Sequence, residues 1–180
     1  MTSAHAFIAT SLDGYIARED GDISWLLERD DPTEDHGYND FIADIGVIVM
    51  GRGSYDKVLT FDQWPYELPV VVLSATLTDS DVPLHLVGKV EVTSQTPSQV
   101  MQDLAHRGLD RVYLDGGRVI QSFLRAGLVS DLVVTTVPVI LGAGRRLFGE
   151  VSTDIDLALV DVRRFPSGLV QSKYSVKAPN

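Results

Sequence analysis

The stretch Arg111-Val-Tyr-Leu-Asp-Gly-Gly-Arg-Val-Ile-Gln-Ser-Phe-Leu124 constrains the fold most, because a short apolar run stops at two glycines and a helical pattern starts at once. Such a junction is a strand feeding directly into a helix, the repeating unit of an α/β protein. It also makes room for an anion. Bare backbone at Gly116 and Gly117 allows close approach, and the free N–H groups and dipole of the following helix supply partial positive charge. A second junction of the same kind, Val47-Ile-Val-Met-Gly-Arg-Gly-Ser54, follows another apolar run. Two such corners predict a diphosphate gripped from two sides, and hence a dinucleotide-binding enzyme.

Apolar runs alternate with helical patterns along most of the chain. Strands are predicted over residues 4–12, 47–50, 70–74, 90–93 and 112–114, most of them uninterrupted Val, Ile and Leu and so buried on both faces. Residues 99–107 place Val100, Met101, Leu104 and Ala105 on one helical face and stop at Gly108. Residues 118–126 do the same with Val119, Ile120, Phe123 and Leu124 and stop at Gly127. The tail changes character: residues 132–141 form one long apolar strand, and 155–165 and 169–176 flank Pro166-Ser-Gly168 as a hairpin. The expected class is α/β, with a central mixed, mostly parallel sheet flanked by helices and a C-terminal antiparallel hairpin. Residues 1–180 are read as a single domain, since 44% hydrophobic residues suffice for one core at this length.

A formal net charge of −10 argues against nucleic acid and anionic membranes as partners, because neutralising phosphates needs clustered Lys and Arg. An anionic ligand therefore needs a local basic site. No apolar run approaches the ~20 residues of a membrane span, and the start Met-Thr-Ser-Ala-His5 has no leader pattern, so a cytoplasmic protein is expected. The chain has no cysteine, and its four histidines are scattered, so no metal site is expected.

Several segments offer chemistry, each beside a plain conformational alternative. In Gly51-Arg52-Gly53-Ser54-Tyr55 the backbone N–H groups, the Ser54 hydroxyl and the Arg52 guanidinium can face phosphate oxygens; the alternative is a tight turn with a solvated arginine. Neither glycine corner carries the full G-x-G-x-x-G with a following acid, which disfavours an ordinary Rossmann domain. Leu73-Ser74-Ala75-Thr76 ends a strand in hydroxyls where an acid would bind a ribose 2′-OH. Beside Arg52 these suit a 2′-phosphate and favour NADPH over NADH, though Ser and Thr are also ordinary turn residues.

A helix over residues 35–45 would turn Tyr38, Phe41, Ile42 and Ile45 inward. Asp35, three residues before Tyr38, would share that face, with a pKa raised by partial burial, and could bind a substrate edge or donate a proton. It could equally complement the helix dipole. Leu12-Asp-Gly-Tyr15 reads as a hairpin turn. Gly142-Ala-Gly-Arg-Arg146 places Arg145 and Arg146 after a flexible turn, a local anion site for a phosphorylated substrate or simply a loop.

Taken together, Ser11-Leu-Asp-Gly-Tyr-Ile-Ala17, the 47–55 junction, Val71-Val-Leu-Ser74, Leu114-Asp-Gly-Gly-Arg-Val-Ile120 and Pro138-Val-Ile-Leu-Gly-Ala-Gly-Arg-Arg-Leu-Phe148 resemble the dihydrofolate reductase-like superfamily. The resemblance is closest to stand-alone proteins similar to the reductase domain of bifunctional riboflavin-biosynthesis deaminase/reductases, and it runs nearly end to end. It implies a three-layer fold, NADPH across the carboxyl ends of the strands, and hydride transfer to a heterocycle or sugar-derived carbonyl. By position it implies that Ala9, Asp13 and Gly14 border the nicotinamide. Gly51, Arg52, Ser54, Ser74, Gly116, Gly117, Arg118 and Val119 would hold the phosphates and adenosine. The 132–141 strand suggests a homodimer, as in related reductases, or burial within one subunit.

Two departures shape the expectation. The deaminase half is absent, because neither H-x-E nor P-C-x-x-C occurs. Asp35 lies sixteen residues before Gly51, near the position of the acid that dihydrofolate reductases use, but His36-Gly37-Tyr38 does not look like a folate pocket. Asp35 and Tyr38 are the expected catalytic residues, and a ribosylaminopyrimidine of riboflavin synthesis is preferred to dihydrofolate as substrate. The competing reading is a non-catalytic NADP-binding or redox-sensing module.

Overall fold

A computed structural model describes residues 2–177. Its ten strands are β1 (Ser3–Ser11), β2 (Tyr15–Ala17), β3 (Val47–Gly51), β4 (Val70–Leu73), β5 (Val90–Thr93), β6 (Arg111–Asp115), β7 (Val129–Val137), β8 (Arg145–Arg146), β9 (Leu157–Arg164) and β10 (Val170–Val176). The α-helices are α1 (Ser24–Leu27), α2 (Tyr38–Ile42), α3 (Arg52–Val58), α4 (Pro97–His106) and α5 (Gly117–Arg125). Eight strands form one sheet in the order β5-β4-β3-β6-β1-β7-β10-β9, while β2 and β8 pair separately. The first six run parallel, and β10 and β9 close the far edge as the expected antiparallel hairpin.

Alternation along the buried strands divides the core. Val47, Val49, Val112 and Leu114 face α4 and α5, where Val100, Met101, Leu104, Val119, Ile120 and Phe123 pack on them. Ile48, Met50, Val70, Val72 and Tyr113 face the opposite way, against Ile45, Tyr55 and Leu86. A third cluster, Trp25, Val137, Phe165 and Leu169, sits where α1 meets the C-terminal hairpin. Helix α4 starts at a capping box, Thr96 with Gln99, and has Pro97 in its first turn.

Three expectations change. The 35–45 helix shrinks to Tyr38–Ile42, because the chain reaches it through Gly37 at a left-handed φ of 78°. Leu12-Asp-Gly-Tyr15 is a turn but not a hairpin, since β2 pairs with β8 and not with β1. The apolar strand over 132–141 stops at Val137 before Pro138 and lies between β1 and β10, so burial within the subunit accounts for its composition. No helix among the described residues is long and apolar enough to cross a membrane.

Candidate active site at the carboxyl ends of the strands

Strand register brings the two glycine corners together. Strands β3 and β6 are adjacent and parallel with Met50 opposite Asp115, so Gly51-Arg52-Gly53 and Gly116-Gly117 leave the sheet side by side. The corners touch: a methyl group at Gly116, which has a φ of 91°, would overlap the Ser54 hydroxyl, and one at Gly51 would lie 3.3 Å from Val119 Cγ2. Strand β8 completes the contact. A methyl group at Gly117 would sit 2.7 Å from the Arg146 carbonyl oxygen, and one at Gly53 would sit 3.3 Å from Arg145 Nη1. Arg118 is exposed on the first turn of α5, and Val119 behind it is buried in the core.

Beside this corner Arg52 reaches the end of β4. Its Nη1 donates to Thr76 Oγ1 at 2.8 Å, its Nε to Asp56 Oδ2 at 3.3 Å, and the Ser74 and Thr76 hydroxyls are 3.4 Å apart. The guanidinium and two hydroxyls that the sequence set twenty-odd positions apart thus form one exposed cluster. Thr76, the second hydroxyl after β4, is the one that holds the arginine.

The turn after β1 is fixed from below. Asp13 accepts from Ser11 Oγ (2.6 Å), Leu141 N (3.1 Å) and Gly142 N (2.7 Å), and the Ser11 hydroxyl, then these backbone amides, hold its pKa down to about 2. Asp13 therefore clamps the Asp13-Gly14 turn to the Gly142-Ala-Gly144 loop. Gly14 continues the clamp through its carbonyl, which accepts from Leu147 N at 3.0 Å. Ala9, further down β1, packs against the Trp25 cluster. The adjacent arginines diverge. Arg146 stacks 4.7 Å over the Tyr15 ring and donates from Nη2 to its hydroxyl at 3.0 Å. Arg145 donates from Nε to the Glu19 carbonyl at 3.3 Å and lies between Gly21 and Gly53.

At the end of β6, in front of the glycine pair, stands Asp115. It keeps part of its surface open, yet protein surrounds the carboxyl closely enough that burial lifts its pKa to about 6, against hydrogen bonding from Ser54 and the Gly116 N–H. Tyrosines gather around it. Burial, then the Asp115 charge, raises the Tyr38, Tyr66 and Tyr113 phenols, so all three are neutral hydrogen-bonding groups at physiological pH. Tyr38 and Phe41 from α2 pack edge-on to Tyr113, with centroids 6.4 and 5.2 Å away, and Phe7 of β1 lies 5.6 Å from Tyr38. The result is an aromatic cluster with a protonatable carboxyl beside it.

Asp35 does not join this cluster. It is exposed and accepts from Gly37 N at 2.8 Å, so the inward-facing, partly buried carboxyl expected of it is corrected: α2 starts too late to carry Asp35. The preceding acid has the buried role instead. Glu34 accepts from Ser167 N (2.8 Å) and Oγ (2.5 Å), while Gln171 Nε2 donates to the His36 carbonyl and to Thr135 Oγ1, both at 3.0 Å. These bonds pin the 34–37 turn to the C-terminal hairpin. Asp115, Tyr66 and Tyr113 were missed as site residues; the available signal was an acid closing an apolar strand directly before two glycines. Two apolar cavities of about 400 and about 270 Å³, sharing Leu132, Phe148 and Leu157, are lined by none of these aromatic residues.

This sheet order, with glycine corners at adjacent strand ends, defines a dihydrofolate reductase-like fold of the riboflavin-reductase type. The chain belongs to the RibD C-terminal domain family, whose model matches residues 4–171. It is 37% identical to a candidate riboflavin biosynthesis protein of Shewanella sp. PV-4 of known structure, with a TM-score of 0.92 over 98% of this chain and 100% of that one. It is 30% identical to the uncharacterized protein YwjB of Bacillus subtilis over 88% of this chain and 90% of that protein. A bifunctional diaminohydroxyphosphoribosylaminopyrimidine deaminase/5-amino-6-(5-phosphoribosylamino)uracil reductase of Thermotoga maritima shares the fold at 17% identity and a TM-score of 0.71, with 98% of this chain matching 57% of that one.

Proposed function

We propose that the chain is an NADPH-dependent reductase acting on a small heterocyclic acceptor, with 5-amino-6-(5-phosphoribosylamino)uracil as first candidate substrate. The observation that carries this reading is the meeting of the two glycine corners, Ser54 against Gly116, with the protonatable Asp115 between them and a cluster of aromatic side chains. The residues fit the cofactor. Gly116 and Gly117 let Ser54 and β8 close tightly on the corner, where a Cβ would overlap the Ser54 hydroxyl or crowd the Arg146 carbonyl, and α5 begins there with the N–H groups of its first turn. Arg52, Ser74 and Thr76 offer the donors that a 2′-phosphate needs.

When bound, NADPH would supply the hydride. The protein's own work is orientation and proton supply. Phe7, Tyr38 and Phe41 pack on one another and offer an apolar aromatic surface against which a ring could lie, and neutral tyrosine hydroxyls can orient its polar edge. Asp115, half-protonated near pH 6, can hold a proton for the acceptor and release it without a large energetic mismatch. Fixing two reactants in place supplies about 7–11 kcal/mol of barrier lowering, against a factor of about 10²–10⁴ from one positioned acid, so positioning dominates.

NADPH oxidation over a panel of pterins and phosphorylated ribosylaminopyrimidines tests the reading; coenzyme binding without turnover on any of them would favour the non-catalytic module. Arg52→Ala is expected to weaken NADPH by about 10–100-fold, the loss of charge-assisted bonds, with NADH affinity nearly unchanged. Equal losses would remove Arg52 from the 2′-phosphate.

The working unit is proposed to be a homodimer. Edge strand β9 leaves Leu159, Val160 and Val162 more than half exposed beside an unpaired strand edge, which a second copy would cover. Sedimentation is expected to give twice the 19.7 kDa chain mass, and a monomer would count against it.

A further inference from the structure

We infer that Arg145 binds the diphosphate bridge of the cofactor and not the acceptor, an inference that rests on the nicotinamide-cofactor reading above. Strand β8 is only two residues long, and its register with β2, Ala17 opposite Arg145 and Tyr15 opposite Arg146, sends the two guanidinium groups to different places. Arg146 is occupied by the Tyr15 ring and hydroxyl. Arg145 lies against backbone. Its Nη1, Nη2 and Cζ come within 3.2–3.3 Å of where a methyl group at Gly21 would be, and its Nη1 comes equally near that point at Gly53. Side chains at those two positions would displace the guanidinium, so the pair of glycines makes its seat.

The seat is held from several sides. Nε donates to the Glu19 carbonyl, and the Gly144 backbone packs on the Ala17 carbonyl. Among the described residues Arg145 pairs with no carboxylate, whereas Arg18 pairs with Asp22 and Arg52 with Asp56 nearby. Its fork is thus charged, exposed and fixed at its base.

Three contacts say what stands in front of it. Arg145 of β8 meets Gly53 of α3, the Arg146 carbonyl of β8 meets Gly117 of α5, and Ser54 of α3 meets Gly116 of α5. The three segments therefore share one corner, and the guanidinium lies against the corner's Gly53 and not against the aromatic cluster of Phe7, Tyr38 and Phe41. A diphosphate brings two adjacent phosphates, and a planar fork bridges oxygens on both in a way that an ammonium does not. In a chain of net charge −10, a guanidinium seated at the corner adds to Arg52 and the exposed Arg118 the positive charge that two phosphates need. Because Nε also holds the Glu19 carbonyl, the same side chain ties the turn between β2 and α1 to the bound diphosphate.

The diphosphate is common to NADPH and NADH, so Arg145→Met is expected to weaken both coenzymes alike, by about 10–100-fold, in contrast to the one-sided loss from Arg52→Ala. The KM for the acceptor should stay near wild type. Arg145→Lys, which keeps the charge and loses the fork, should fall between, and it answers the question if the methionine variant folds poorly. Unchanged coenzyme affinity in both variants, or a loss confined to the acceptor, would overturn the inference. Inorganic pyrophosphate separates this inference from the wider one. It should raise the unfolding temperature of the wild-type protein and much less that of Arg145→Met, even if neither nicotinamide coenzyme binds; an equal rise in both proteins, or none, counts against Arg145.

Discussion

Asp115→Asn is expected to lower turnover by about 10²–10⁴-fold and to abolish the decline in rate that the wild-type protein should show as pH rises through about 6. The decline follows from the acid form being the proton donor, since above its pKa the carboxyl has already lost what it must give. The same residue predicts an opposite effect on stability. An acid whose pKa is raised by folding favours the folded state below its unfolded value, near 4, and that contribution disappears as pH climbs through about 6. At pH 8 the wild-type protein therefore bears an ionised, poorly solvated carboxylate, and an amide of the same shape relieves it. The asparagine variant should be the more stable protein at pH 8, by about 1–3 kcal/mol with allowance for the open part of the side chain, and should have no such advantage at pH 4. Thermal unfolding at the two pH values and a kcat/KM profile read both effects. A variant as fast as wild type across the range would remove Asp115 from the proton step, whatever its stability.

Sequence and structure agree where a pattern is enforced by burial. Uninterrupted runs such as Val47–Met50 and the inner stripe of α5 admit one arrangement, a strand covered on both faces with a helix over it. The glycine corners were legible as strand-to-helix junctions for the same reason, because an apolar run that stops at glycine before a helical stripe marks where the chain leaves the sheet. Asp35 was misread because its placement required a helix to begin early, and nothing in periodicity reveals that Gly37 takes a left-handed φ and resets the helix start. Asp115 was overlooked because its importance comes from neighbours far apart in sequence, Tyr38 and Tyr66, that only the sheet order brings together. The arginine pair shows a third limit. Composition marked Arg145 and Arg146 as a local cation site, but strand alternation at β8 decides that one stacks on Tyr15 while the other faces Gly53.

Gly117→Ala is expected to damage the protein more than the loss of one conformationally free residue explains. Gly117 is helical, so alanine would ordinarily help it by about 0.5–1 kcal/mol. The obstacle is space. The added methyl would lie 2.7 Å from the Arg146 carbonyl oxygen and 3.0 Å from Ile16 Cδ1, and the first of these is backbone that cannot rotate away. That carbonyl is also held in place, accepting from Gln121 Nε2 at 3.0 Å while Leu147 N, next along the chain, donates to the Gly14 carbonyl at 3.0 Å. The clash therefore lifts β8 as a unit from α5, at a cost of about 1–3 kcal/mol for overpacking in place of the helical gain. Raising β8 takes the Arg145 guanidinium off its seat as well, so affinity for NADPH and NADH should fall together by at least about 10-fold, a loss comparable to that from removing the arginine. Gly88→Ala is the control, because Gly88 has a φ of 83° but open space around it, and should lower stability modestly without touching coenzyme affinity. If Gly117→Ala binds both coenzymes as tightly as wild type, then contact between β8 and α5 is not what shapes the corner, and α3 and α5 must grip the cofactor without it.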